Sequence, residues 1–91
     1  MSKDAESTIL EGFPLPQLGS TGDELFRLGM LYSTGLGGTR CDYVSAHMLF
    51  NLAAMRGSVE ARAYRKELSQ EMASAEVAEA QRQAREWLAH G

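Results

Sequence analysis

Between residues 28 and 61 the chain places small side chains at fixed offsets inside two apolar helical patterns: Gly29, Ala46, Ala53, Ala54, Gly57 and Ala61. Residues three and four apart share one face of an α-helix. The small positions therefore fall where two helices would meet, and they remove the bulk that keeps helix axes apart. This spacing predicts a tight antiparallel helix pair. Such a pair is a scaffold, not a set of reactive groups. The predicted fold class is all-α: antiparallel helical hairpins, four helices, short connections and no strand.

The first helix is expected to start near Thr21, because Thr21-x-x-Glu24 has the form of a capping box. Leu25, Leu28, Gly29 and Tyr32 then recur on one stripe, while Phe26, Met30 and Leu31 lie on other faces. With Arg27 as the main polar exception, this helix is apolar nearly all round and wants neighbours on two sides. The second helix supplies one. The other side needs the N-terminal arm, the later helices or a second chain.

Gly35, Gly37 and Gly38 are expected to end the first helix. Asp42 is placed to cap the second helix, whose inner stripe is Ala46, Leu49, Phe50, Ala53 and Ala54 and whose stop is Gly57. Val44 and Met48 reach toward a second surface. Ser58 caps a third helix with Ala61, Tyr64, Leu68 and Met72 inside and Arg62, Arg65, Lys66, Glu67 and Glu71 on the wet side. Ser74 caps a fourth, striped by Val77, Ala80, Ala84, Trp87 and Leu88, with Glu79, Arg82 and Glu86 spaced for ion pairs.

Residues 1–19 differ from the rest. Ile9, Leu10, Phe13, Leu15 and Leu18 are interrupted by Gly12, Pro14, Pro16 and Gly19, and the prolines bias the chain toward extended backbone. We read an extended or partly disordered N-terminal arm, either a tail or a strap over an exposed helix face. Residues 20–91 form the helical domain. Ninety-one residues make one small domain.

A formal net charge of −3 gives no reason to expect nucleic acid. No apolar run approaches the length of a membrane span. The first residues carry acids, not the basic and apolar regions of a secretory signal. With a single cysteine, Cys41, an internal disulfide is impossible, and a cytoplasmic location is the expectation.

The order Leu28-Gly29, Tyr32, Gly35, Gly37, Asp42, Ala46, Ala53-Ala54, Gly57 and Ala61 resembles the Sel-one-like repeat, a relative of the tetratricopeptide repeats in which each unit is an antiparallel helix pair. The likeness covers about residues 24–61, one repeat, and the segment DYVSAHMLFNLAAMRG is similar to bacterial members. Several positions depart from the pattern. Glu24 stands where alanine is usual, Leu49 where tryptophan is frequent, and Gly38 or Thr39 where valine is usual, in a loop one residue longer. After Ala61 the signature is lost, and residues 58–89 resemble a C-terminal capping pair with a polar outer face. Repeat units bury their faces against one another, and about three are usually needed. The resemblance implies an adaptor or regulator that binds another protein or peptide.

Motifs for chemistry are weak. The Gly-rich loop of residues 35–38 lacks the Gly-Lys-Ser/Thr ending of a P-loop and follows a helix, not a strand. His47 and His90 are far apart, and one cysteine with no paired histidines makes no zinc ligand set. Cys41 and His47 lack an evident orienting third group. Glu60, Glu67, Glu71, Glu76 and Glu79 read as solvated surface, His47 as structural, and Trp87 as a lid on the C-terminal core. No catalytic residue, cofactor or metal is expected. The expected contact residues are Leu25, Phe26, Met30 and Tyr43, on the outward apolar face of the first helix and the start of the second. They would hold a protein or peptide. The alternative is a homodimer in which a second copy completes the repeat stack.

Overall fold

The computed structural model describes residues 20–38 and 40–90, and these form an all-α fold of four helices. They are α1 (Gly22–Thr34), α2 (Tyr43–Met55), α3 (Val59–Glu71) and α4 (Ser74–His90), with a short 3₁₀ turn at Leu36–Gly38. No strand occurs among the described residues. The arm over residues 1–19 and the position of Thr39 lie outside them.

Local chemistry sets the helix ends. The Thr21 hydroxyl accepts from the Glu24 N–H at 3.1 Å, and the Glu24 carboxylate accepts from the Thr21 N–H at 2.9 Å, closing the capping box. Gly35 ends α1 in the left-handed region, with φ 74°. The Asp42 carboxylate caps α2 by accepting from the Ser45 N–H, and the Ser58 hydroxyl caps α3 by accepting from the Ala61 N–H.

Between α2 and α3 the chain makes a Schellman turn. The Ser58 N–H donates to the Ala53 carbonyl at 3.0 Å and the Gly57 N–H to the Ala54 carbonyl at 3.1 Å. That turn holds Gly57 at φ 97°, a conformation costly for any residue with a Cβ. One expectation fails here in detail. Ser74 is the first residue of α4, not its cap; the Ala73 N–H donates to the Glu76 carboxylate at 2.8 Å, and no hydroxyl takes part.

The central element is α2, which packs against α1, α3 and α4. Its composition explains the position: Ala46, His47, Leu49, Phe50, Leu52 and Ala53 are all buried, so it presents a buried surface nearly all round. Cross-links give the directions. Arg56 at the end of α2 donates to the Ser20 carbonyl ahead of α1, so these helices are antiparallel. His47 meets Ser69 and Asn51 meets Arg65, which sets α3 antiparallel to α2. The Arg56 guanidinium lies 5.9 Å over the Trp87 ring near the end of α4, so α4 runs parallel to α2.

Leu25, Leu49, Phe50 and Leu52 are the largest fully buried side chains. Burial of each contributes about 1.5–3 kcal/mol. The small-residue stripe does what its spacing predicts. Gly29 lies so close to α2 that an added Cβ would sit 2.6 Å from two carbons of the Phe50 ring. Ala46, Ala53 and Ala61 are fully buried, whereas Ala54 is half-buried beside them. On the outer face of α4, Arg82 pairs with Glu79 and Glu86, and its hydrogen bond holds the Glu79 carboxyl at about 2.

Candidate interaction groove

α1 and α3 lie on either side of Phe50, and an open, shallow groove runs from there along α2 and α3. Phe50 of α2 lies at its base, 1% exposed. Its ring centroid is 5.8 Å from that of Phe26 on α1 and 5.8 Å from that of Tyr64 on α3. Phe26 and Tyr64 close the triangle edge to face at 5.4 Å. Along α3 the concavity continues for about 190 Å³, lined by Phe50, Tyr64, Glu67, Leu68 and Glu71. On α3 these are residues 64, 67, 68 and 71, one continuous helix face. Leu68 faces the core, Tyr64 is 41% exposed, and Glu67 and Glu71 are exposed at the rim.

The residues expected to make contacts are dispersed. Leu25 is 0% exposed and belongs to the core, so no partner reaches it; its place three residues before Leu28 and four before Gly29 puts it on the α2-facing stripe. Phe26, one position on, is half-buried against Phe50 and Tyr64 at the end of the groove. Met30 is half-buried against the core. Tyr43 is exposed, on the same α2 face as Phe50 but about 10 Å along the helix axis, outside the groove lining. Sequence reasoning missed Tyr64, Glu67 and Glu71 as a site. No local signal marks them: at helical spacing Tyr64 reads as a core position and the two acids as solvated surface.

No family model, curated protein or solved structure matches the chain.

Behind the groove, His47 is 2% exposed. The Ser69 hydroxyl donates to the Arg65 carbonyl at 2.9 Å, so its oxygen accepts the Nε2–H of His47 at 2.8 Å. The Nδ1 lone pair is buried without a partner. Burial, reinforced by the Arg65 charge, holds the His47 pKa below its ordinary value. Protonation would put a second N–H donor where no acceptor waits. The unfolded chain, with an ordinary pKa near 6.5, binds the proton first. The stability that neutral His47 supports is therefore complete above about pH 6.5 and is lost as the pH falls below it. We expect the denaturation midpoint to drop between about pH 7.5 and 5.5, by at most ~1.4 kcal/mol per pH unit for one proton. Most of that drop should be missing in His47→Gln, whose amide can still donate to Ser69. An equal drop in both proteins would show that His47 is not the responsible group.

No group of three or more His, Cys, Asp or Glu placed to hold a metal occurs among the described residues. Cys41 is exposed in the loop before α2, its thiol 3.6 Å from the Ser33 carbonyl. No described helix is long and apolar enough to cross a membrane.

Proposed function

We propose that this chain is a non-catalytic protein-interaction module, an adaptor or regulator that holds a short segment of another protein in the groove along α2 and α3. The observation that carries this reading is the exposure of Tyr64 beside half-buried Phe26, above a buried Phe50. Aromatic side chains that share a concavity and remain open to solvent offer contact area at low entropic cost. The buried imidazole of His47 is committed to a structural hydrogen bond, which also favours a binding role over chemistry. The likeness of residues 24–61 to a Sel-one-like helix pair points the same way, with α3 and α4 as the capping pair. A reducing, cytoplasmic setting suits the exposed single thiol.

Selection from a library of random-sequence peptides tests the reading. We expect enriched sequences that bind the wild-type chain and fail on Tyr64→Ser. Tyr64 is exposed enough for that substitution to spare the fold. An empty selection, or binders indifferent to Tyr64→Ser, would overturn the assignment.

A second reading has its own observation. Met55 and Val59 flank the α2–α3 turn at 59% and 76% exposure, and Leu88 is exposed next to Trp87. A second copy meeting this end would complete the stack as a homodimer. Sedimentation at micromolar concentration should then show twice the monomer mass, reduced to the monomer by Val59→Lys.

A further inference from the structure

We infer that the apolar segment of residues 9–18 docks on the end of the helical domain where Met55, Val59 and Leu88 are exposed. This goes beyond the groove reading: it concerns a different surface, and its occupant is part of the same chain.

Four helix ends meet at this place. Here α1 and α3 start, and α2 and α4 finish. Gly22 of α1 lies so close to the end of α2 that an added Cβ would sit 2.9 Å from the Arg56 carbonyl oxygen. The Arg56 side chain reaches two ways, donating to the Ser20 carbonyl at 2.8 Å and lying over the Trp87 ring. Met55 precedes Arg56, Val59 opens α3, and Leu88 follows Trp87. All three are exposed, Val59 the most of any large apolar side chain among the described residues. Leu36, Tyr43 and Tyr64 are exposed too, but they stand one by one on other parts of the fold. An isolated apolar side chain on a surface is ordinary, whereas several at one place mark a surface that something covers.

The course of the chain selects the occupant. Ser20 is held at this end, so the residues before it are tethered to the surface in question. Ile9, Leu10, Phe13, Leu15 and Leu18 lie two to eleven residues before Ser20, outside the described residues. Eleven residues span at most about 40 Å, ample to cross the end of a four-helix domain. A short tether gives its segment an effective concentration in the millimolar range, which a separate copy at micromolar concentration does not match. The flank of α1 has less to cover, because Phe26, Leu28 and Met30 are already half-buried against the core.

Charge agrees with this placement. Residues 1–19 hold one lysine against Asp4, Glu6 and Glu11. The groove repels such a segment, because Glu67 and Glu71 stand at its rim. Within three residues in sequence of Met55, Val59 and Leu88 stand Arg56, Arg62 and Arg85, against Glu60 and Glu86. Arg82 already pairs with Glu86, so this end is the more basic of the two surfaces.

The test is NMR on the full chain. Side-chain NOEs should join Phe13, Leu15 and Leu18 to Met55, Val59 and Leu88. The variant Leu10→Ser/Phe13→Ser/Leu15→Ser should lose them and shift the amide signals of those three residues. It should also move the Trp87 fluorescence maximum to longer wavelength as water reaches the ring. The fold is retained, because no core residue of the four helices is changed. Val59→Lys, at the most exposed of the three positions, should reproduce the loss from the other side. A mixture of labelled and unlabelled chains separates the sources. NOEs within one chain support the inference, and NOEs between chains make a second copy the occupant and overturn it. NOEs from residues 9–18 to Leu28 or Tyr64 instead, or none to the helices, overturn it as well. The groove reading stands or falls separately, on the peptide selection and its dependence on Tyr64.

Discussion

Phe50→Ala should destabilise the fold by about 3–5 kcal/mol. A domain of this size has only about 5–15 kcal/mol in total, so the variant should be close to unfolding under mild conditions. The reason is position. Phe50 is 1% exposed, touches Gly29 of α1, and joins Phe26 and Tyr64 across the base of the groove. Its removal leaves a cavity where three helices meet, and α2 cannot shift to fill it without leaving α4. Equilibrium denaturation should show the midpoint falling with the cooperativity retained. Phe26→Ala is the internal comparison: that ring is half-buried and has a solvent side, so its loss should cost clearly less. A Phe50→Ala midpoint within about 1 kcal/mol of wild type would mean that the helix junction is not the core of the fold.

Gly29→Val should cost about 2–3 kcal/mol, and even Gly29→Ala should destabilise. Two effects oppose each other at this site. Replacing a mid-helix glycine by alanine favours the helix by about 1 kcal/mol. Against that, the new Cβ would sit 2.6 Å from Cδ1 and Cε1 of Phe50 and 3.2 Å from Cζ. Overpacking of this kind costs about 1–3 kcal/mol when the neighbour cannot move. Phe50 is held between two further rings, so the steric cost wins. The decisive measurement is a double-mutant cycle. In a Phe50→Leu background the ring carbons are gone, and Gly29→Ala should become neutral or stabilising. Additive effects would show that the close approach of α1 and α2 at Gly29 is not what limits the side chain there.

These two residues show how the sequence and the fold divide the information. Gly29 was legible as a close-approach position because the small residues recur at helical offsets, and helical offsets are a local property. Tyr64, Glu67 and Glu71 were not legible as a site, because from α3 alone they read as one core position and two solvated acids. Only the packing of α3 on α2, with Phe50 beneath Tyr64, turns that face into a groove wall. Leu25 and Phe26 make the same point at single-residue scale. Both are large and apolar, neighbours in sequence on a helix apolar nearly all round. A rotation of about 100° separates a core residue from a groove residue.

What the sequence determined by itself was most of what is set within a few residues: four helices, the Thr21–Glu24 box, the Asp42 and Ser58 caps, the left-handed glycines and the buried stripe of α2, though not the start of α4 at Ala73 and Glu76. Such features follow from backbone hydrogen bonding and side-chain periodicity, which operate over one or two turns. What only the tertiary structure decided was which apolar face stays open and which side chains meet across helices. Those depend on contacts between residues far apart in the chain: Phe26 with Tyr64, His47 with Ser69, Arg56 with Trp87. No local periodicity encodes such pairs, because they exist only once α2 has drawn the other three helices around it.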